Sequence, residues 1–294
     1  MTTQKNILAL HSTVAKHSTL AMDIDIARTV GFDALEIYSG KLEAWLQAGY
    51  SEAELKALLK DIPVTGIGYL RDIERQGTER DDMLKEAQRL FQLANLVGAK
   101  GVQVLTGPIN VQAVIDYRQR GASDHYSGLL GLDEFEQYAL TARNLAALAD
   151  LAQQYDVLLY LEALSWTPLN TLEHQLQLID RTERHNVKMV IDYWHCFTSG
   201  VKPEDIARIN AEVIYGVHVC DSLPFAGGIP NEEVLRDVPT GDGVLNLAEW
   251  TAAVKATGYD GWWSCELFCK KQQQQNSYEV AKDLKALLSR LVGR

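Results

Sequence analysis

The stretch VIDYWHCF, residues 190–197, breaks from an apolar run into an acid, Asp192, with an imidazole, His195, three residues on. Similar breaks recur along the C-terminal half of the chain. VLLYL ends in Glu162, KMVI in Asp192, VIYGV in His218 and WWSC in Glu266. Taken singly, each acid reads as a helix cap or a rim residue, and the histidine as a hydrogen-bonded core residue. Four consecutive apolar strands, each ending in a metal-competent side chain, are much harder to assign to coincidence. Three carboxylates and an imidazole suit one divalent ion, and without thiolates they do not select among Mn²⁺, Mg²⁺, Co²⁺ and Zn²⁺. The metal set is therefore Glu162, Asp192, His218 and Glu266.

The elements that must carry these residues alternate throughout. Strand-length apolar runs occur at 7–10, 34–37, 64–67, 102–105, 157–161, 188–191, 213–217 and 262–265. Most are continuous rather than alternating, as a parallel sheet with a covered outer face requires. Amphipathic stretches at 79–96, 132–155, 171–184, 247–257 and 278–291 read as helices, and Ser51 with Glu54 forms a capping box. Eight β-α units predict an α/β fold of the (β/α)8 TIM-barrel kind, one domain over residues 1–294. The competing doubly wound sheet lacks its glycine-rich phosphate turn, because HSTVAKHSTL follows the first strand. In a barrel the strand C-termini form the rim where chemistry is placed. The long segments 106–131 and 221–243 read as loops overhanging that rim. His11, ending strand one, and Glu36, in strand two, are candidates for the pocket floor. Trp166, Trp194 and Phe268, each within four residues of a proposed ligand, are candidate pocket walls.

Composition narrows the class. With 294 residues, 47% hydrophobic and 23% charged, the chain can bury a large core. No apolar run reaches the roughly 18–20 residues that cross a bilayer, and MTTQKNILALHSTVAKH lacks signal-peptide architecture. A cytoplasmic protein with reduced thiols at Cys196, Cys220, Cys265 and Cys269 is expected. A net charge of −11 disfavours non-specific binding to nucleic acid or anionic membranes. Nothing in the sequence marks an oligomer interface.

The segments LEALSWTPLNTLEH, VIDYWHCFTSG, VHVCD, RDVPTGDGVLNL and GYDGWWSCELF resemble the xylose-isomerase-like barrels of the sugar phosphate isomerase/epimerase superfamily. The likeness is specific over residues 150–270 and one of barrel pattern before them. The ELF ending, the D-x-x-H and the arginine before PTGDG are most similar to the 2-keto-myo-inositol isomerase branch. EALSW and ELF also resemble bacterial 3-dehydroshikimate dehydratases. The family turn usually reads PG-x-G, and PTGDG here has one extra residue beside Arg236. The resemblance implies that Glu162 and Glu266 double as base and acid, and that His195 faces substrate. Arg236 is the candidate to neutralise developing negative charge. The expected function is a metal-dependent isomerase or epimerase of a sugar, keto-sugar or inosose, acting on a small sugar or cyclitol. It removes a proton beside a carbonyl, and the enediolate needs electrostatic stabilisation. The alternative is a dehydratase of 3-dehydroshikimate or inosose type, which begins with the same enolisation. A related apurinic endonuclease would need further histidines that GIGYL, VLTGP and RDVPTGDG do not supply. A non-catalytic binding barrel would have no use for all four ligands.

Overall fold

The structure, a computed structural model, describes residues 5–294. Residues 1–4, which open the stretch read for a signal peptide, lie outside the described residues. The strands are β1 (Ile7–His11), β2 (Ala34–Tyr38), β3 (Val64–Leu70), β4 (Gly101–Leu105), β5 (Leu158–Glu162), β6 (Val187–Asp192), β7 (Ile214–Val219) and β8 (Trp262–Cys265). They pair in parallel in chain order, and β8 closes on β1. The predicted eight-stranded barrel is present, with helices around it. Burial from both sides explains the sequence pattern: every residue of β4, GVQVL, is buried.

Side chains alternate between the outer helical layer and the barrel interior, so inward residues stack in layers two apart. At the lower level Tyr160, Val190 and Trp262 form their own apolar cluster, with Ile7, Leu158 and Tyr215 packed on it. Small residues make room for these rings. A Cβ built on Gly216 would lie 1.9 Å from the Trp262 indole, and one on Gly66 would lie 2.4 Å from the Tyr160 hydroxyl oxygen. Two residues above that plug come Glu162, Asp192, His218 and Ser264. Register sets Asp192 beside His218, His218 beside Ser264, and His11 beside Glu36.

The helices start where the sequence signals them. Ser51 with Glu54, and Asp133 with Glu136, make complete capping boxes. The expectation of a loop over 106–131 needs correction. Residues Val111–Arg120 are helical, capped by the Asn110 side chain and stopped at Gly121, whose φ is 71°. That helix buries only Ala113 and Val114 among its ten residues, too few to write a strong apolar period into the sequence. The segment 221–243 contains one short helix, Glu232–Leu235, with Arg236 directly after it. The rest is gathered by the buried carboxylate of Asp221, which accepts backbone N–H groups from Ser222, Gly241, Gly243 and Leu245. All four cysteines are buried and free. Among the described residues no helix is long and apolar enough to cross a membrane.

Candidate active site

Glu162, Asp192, His218 and Glu266 each offer one ligand atom, and these atoms all lie within 4.8 Å of one another. His218 stands at the centre. Its Nδ1 is 3.3 Å from Glu162 Oε1 and 3.9 Å from both Asp192 Oδ2 and Glu266 Oε2. Separations of this size approach those around one ion with ligand bonds of about 2.1 Å. The donor set is three oxygens and one imidazole nitrogen, which fits a divalent ion.

Each donor is held from behind. Gln103, from β4, donates its amide N–H to Glu162 Oε2 at 2.9 Å. Asp192 caps the helix Tyr193–Thr198, accepting the backbone N–H of His195 at 2.7 Å, and the Cys220 thiol donates to both its oxygens. Arg236 Nη2 donates to Glu266 Oε2 at 2.8 Å and to Asp192 Oδ2 at 3.4 Å. Its Nη1 donates to Glu232 Oε1 at 2.9 Å, and the guanidinium lies 4.0 Å over the Phe268 ring. The arginine whose place was ambiguous beside PTGDG is thus buried at the site.

The electrostatics follow from crowding charge in a dry place. Burial, with Glu266 and Asp192 nearby, pushes the Glu162 carboxyl up against the lowering effect of His218. Burial would raise Glu266 too, but Arg236, His218 and His11 outweigh it and hold that carboxyl well below the usual range. For His218, burial is outweighed by Glu36, Glu162 and Glu266, and the ring is held well above its ordinary value.

His195 lies apart from the four. Its ring is packed by Trp194 at 4.9 Å and Trp166 at 5.5 Å, and burial pushes its pKa down to about 4. Nδ1 accepts the backbone N–H of Ser165 at 3.1 Å, so the neutral ring carries its proton on Nε2. It borders a small void together with Glu162 and Asp192. A larger cavity of about 420 Å³ opens on the opposite side, lined by His11, Gln103, Tyr69, Glu266 and Phe268 among others. Of the three candidate wall aromatics, Phe268 lines that cavity. Trp166 donates its indole N–H to the Pro108 carbonyl and borders a separate cleft, and Trp194 is fully buried. His11 and Glu36 both reach the site: His11 Nε2 is 3.8 Å from Glu36 and 3.9 Å from Glu266. Gln103 and Glu232 escaped the sequence reading. Gln103 was visible as a lone polar residue in an apolar run, and Glu232 as the acid four residues before Arg236.

Comparison with known proteins gives relatives of two activities. The 3-dehydroshikimate dehydratase of Pseudomonas aeruginosa is 27% identical over 262 residues, covering 87% of this chain. The chain spans only 37% of that relative's length. The inosose isomerase of Bacillus velezensis is 22% identical over 291 residues, covering 96% of this chain and 95% of the relative. The crystal structure of an IOLI protein with a bound zinc atom superposes with a TM-score of 0.85 at 20% identity, over 98% of both chains, and so shares the fold. The profile of the xylose isomerase-like TIM barrel family matches residues 24–290, and with the closed barrel described above, the chain belongs to that family.

Proposed function

We propose that this chain is a divalent-metal-dependent isomerase or epimerase of a sugar, keto-sugar or inosose, working by α-proton abstraction as one domain over residues 1–294 in the cytoplasm. The observation that carries the reading is the convergence of Glu162, Asp192, His218 and Glu266 at the C-terminal rim, beside a cavity of a size suited to a small polyol. These four side chains would hold a divalent ion, which when bound would supply Lewis-acid stabilisation of negative charge on the substrate oxygens. The zinc named for one structural relative supports such an ion. Glu162 ends β5 and Glu266 directly follows β8, with His218 between them, and the two reach a substrate from two sides. One carboxylate takes the proton beside the carbonyl. In isomerisation a proton returns to the former carbonyl carbon while the hydroxyl proton passes to the former carbonyl oxygen. In epimerisation the other carboxylate returns a proton to the opposite face of the same carbon. Gln103 restrains Glu162, and Arg236 keeps Glu266 ionised while offsetting negative charge that develops on substrate oxygen. His195 offers Nε2–H to a substrate oxygen. Phe268 and the buried surroundings exclude water from the reacting carbon.

Three of the relatives named as inosose isomerases align over more than nine-tenths of their own length and favour isomerisation. The dehydratase reading rests on the Pseudomonas aeruginosa relative. It shares the α-deprotonation and then loses the β-hydroxyl as water, leaving a conjugated carbonyl compound. Purified protein loaded with Mn²⁺ or Zn²⁺ should be offered ketoses, inososes and 3-dehydroshikimate. NMR is expected to show isomerised product from a ketose or inosose. Rising ultraviolet absorbance with 3-dehydroshikimate alone would replace isomerase by dehydratase, and no turnover with any of them would sink both.

A further inference from the structure

His218 presents its two ring nitrogens to two different groups. Nδ1 faces Glu162, Asp192 and Glu266, whereas Nε2 lies 3.0 and 3.1 Å from the two oxygens of Glu36. A histidine coordinates through an unprotonated nitrogen, so the placement of one proton decides whether Nδ1 is available. Two hydroxyls donate to the Glu36 carboxylate as well. The Tyr160 hydroxyl gives a hydrogen bond to Oε1 at 3.0 Å and the Ser264 hydroxyl one to Oε2 at 2.9 Å. An unprotonated Nε2 would set two acceptors against each other in a fully buried place, with His218 0% and Glu36 2% exposed. With Glu36 as a carboxylate, Nε2–H is the form of the ring that satisfies the contact.

We infer that Glu36 is a positioning residue of the metal centre: it holds the Nε2 proton of His218, fixes the ring, and so presents the Nδ1 lone pair to the ion. The inference rests on the metal-centre reading above. His11, Glu36 and His218 themselves have the spacing of a metal-ligand group. An ion there would have to take Nε2 as ligand and compete with the Tyr160 and Ser264 hydroxyls for the carboxylate. A proton between Nε2 and Glu36 leaves all these contacts intact, and it adds negative character to the imidazole facing the ion.

The test is zinc affinity by chelator competition for the wild type, Glu36→Leu and Glu36→Gln, with melting temperatures of the metal-free proteins alongside. Glu36→Leu should bind zinc about 10- to 100-fold more weakly. Glu36→Gln, whose amide oxygen still accepts from Nε2–H, should recover part of that loss. A purely structural role would lower the melting temperature and leave the affinity of the folded protein alone. Affinities within twofold of wild type in both variants overturn the inference. Long-range ¹H–¹⁵N correlation on the zinc-loaded wild type decides it even where a variant does not fold: a proton on Nε2 of His218 supports it, and a proton on Nδ1 overturns it. A wild type that takes up no zinc overturns the metal-centre reading as well, whereas zinc-binding wild type with unaltered variants overturns this inference alone.

Discussion

Glu162 and Glu266 sit within reach of one imidazole but are driven in opposite directions: burial, with Glu266 and Asp192 nearby, prevails at the first, whereas Arg236, His218 and His11 outweigh burial at the second. If they only held the ion, glutamine at either position would weaken the site, and excess metal would restore turnover. If they also move protons, glutamine keeps a coordinating oxygen but cannot serve as a base. We therefore expect Glu162→Gln and Glu266→Gln to be deeply impaired even when metal-loaded. Full activity of both at saturating metal would remove proton transfer from these residues. His218→Ala should lose most of its metal by elemental analysis while the barrel stays folded, and unchanged occupancy would end the assignment. Arg236→Ala and His195→Ala belong to a different class. At saturating metal each should lower kcat/KM by roughly 10- to 1,000-fold, as expected for lost electrostatic or hydrogen-bonding help, and His195→Ala should keep its metal content near wild type. Loss of the ion in His195→Ala would make His195 a ligand, which its Nδ1 contact with the Ser165 N–H argues against.

The strands that bear the site depend on the layer beneath it. Tyr160, Val190 and Trp262 plug the barrel because β7 carries a glycine where any larger residue would meet the Trp262 ring. Gly216 lies two residues before His218 on the same inward face, so a disturbance there is transmitted to the site through one strand. Gly216→Ala should destabilise the protein by about 1–3 kcal/mol, the usual cost of overpacking a filled core. Urea unfolding would show it as a lower midpoint, and an unmoved midpoint would mean that the plug is loosely packed. The segment 106–131 shows what element-level reading loses. Its helix is specified by an Asn110 cap and a Gly121 stop rather than by an apolar stripe, and those signals are weak when read alone.

At the scale of the whole molecule, one buried acid makes stability depend on pH. Glu74 is 0% exposed, and Gly107 and Gly128 pack so close that a Cβ on either would come within 2.4 Å of its Oε1. Burial, with Asp72 beside it, pushes its carboxyl up from 4.5 to about 7. Between those values the folded protein keeps a proton that the unfolded chain has released, so the group's contribution to stability falls as pH rises from 4.5 to 7. A tenfold change in proton affinity is roughly 1.4 kcal/mol, so the full loss is on the order of 3 kcal/mol above pH 7. Glu74→Gln should therefore gain stability relative to wild type between pH 5 and pH 8. Urea midpoints of both proteins at the two pH values measure this, and a constant difference between them would refute it.

What the sequence by itself determined was local: where the apolar runs stop and which side chain ends each one. A parallel strand buried on both faces must be continuously apolar, so its end is written in a few adjacent residues, and Glu162, Asp192, His218 and Glu266 could be read there. What only the tertiary structure decided was long-range. Glu36 and His218 are 182 residues apart, and only closure of the barrel brings them to 3.0 Å. Gln103 meets Glu162, and Arg236 meets Glu266, through strand register and a short helix whose position the PTGDG spacing left open. His195 is the clearest case: the spacing from Asp192 put its backbone N–H at the carboxylate, but its ring turned to Ser165, a partner supplied by the neighbouring strand's loop. Rotamer, tautomer and hydrogen-bond partner are set by packing between distant segments, and no spacing along the chain encodes them.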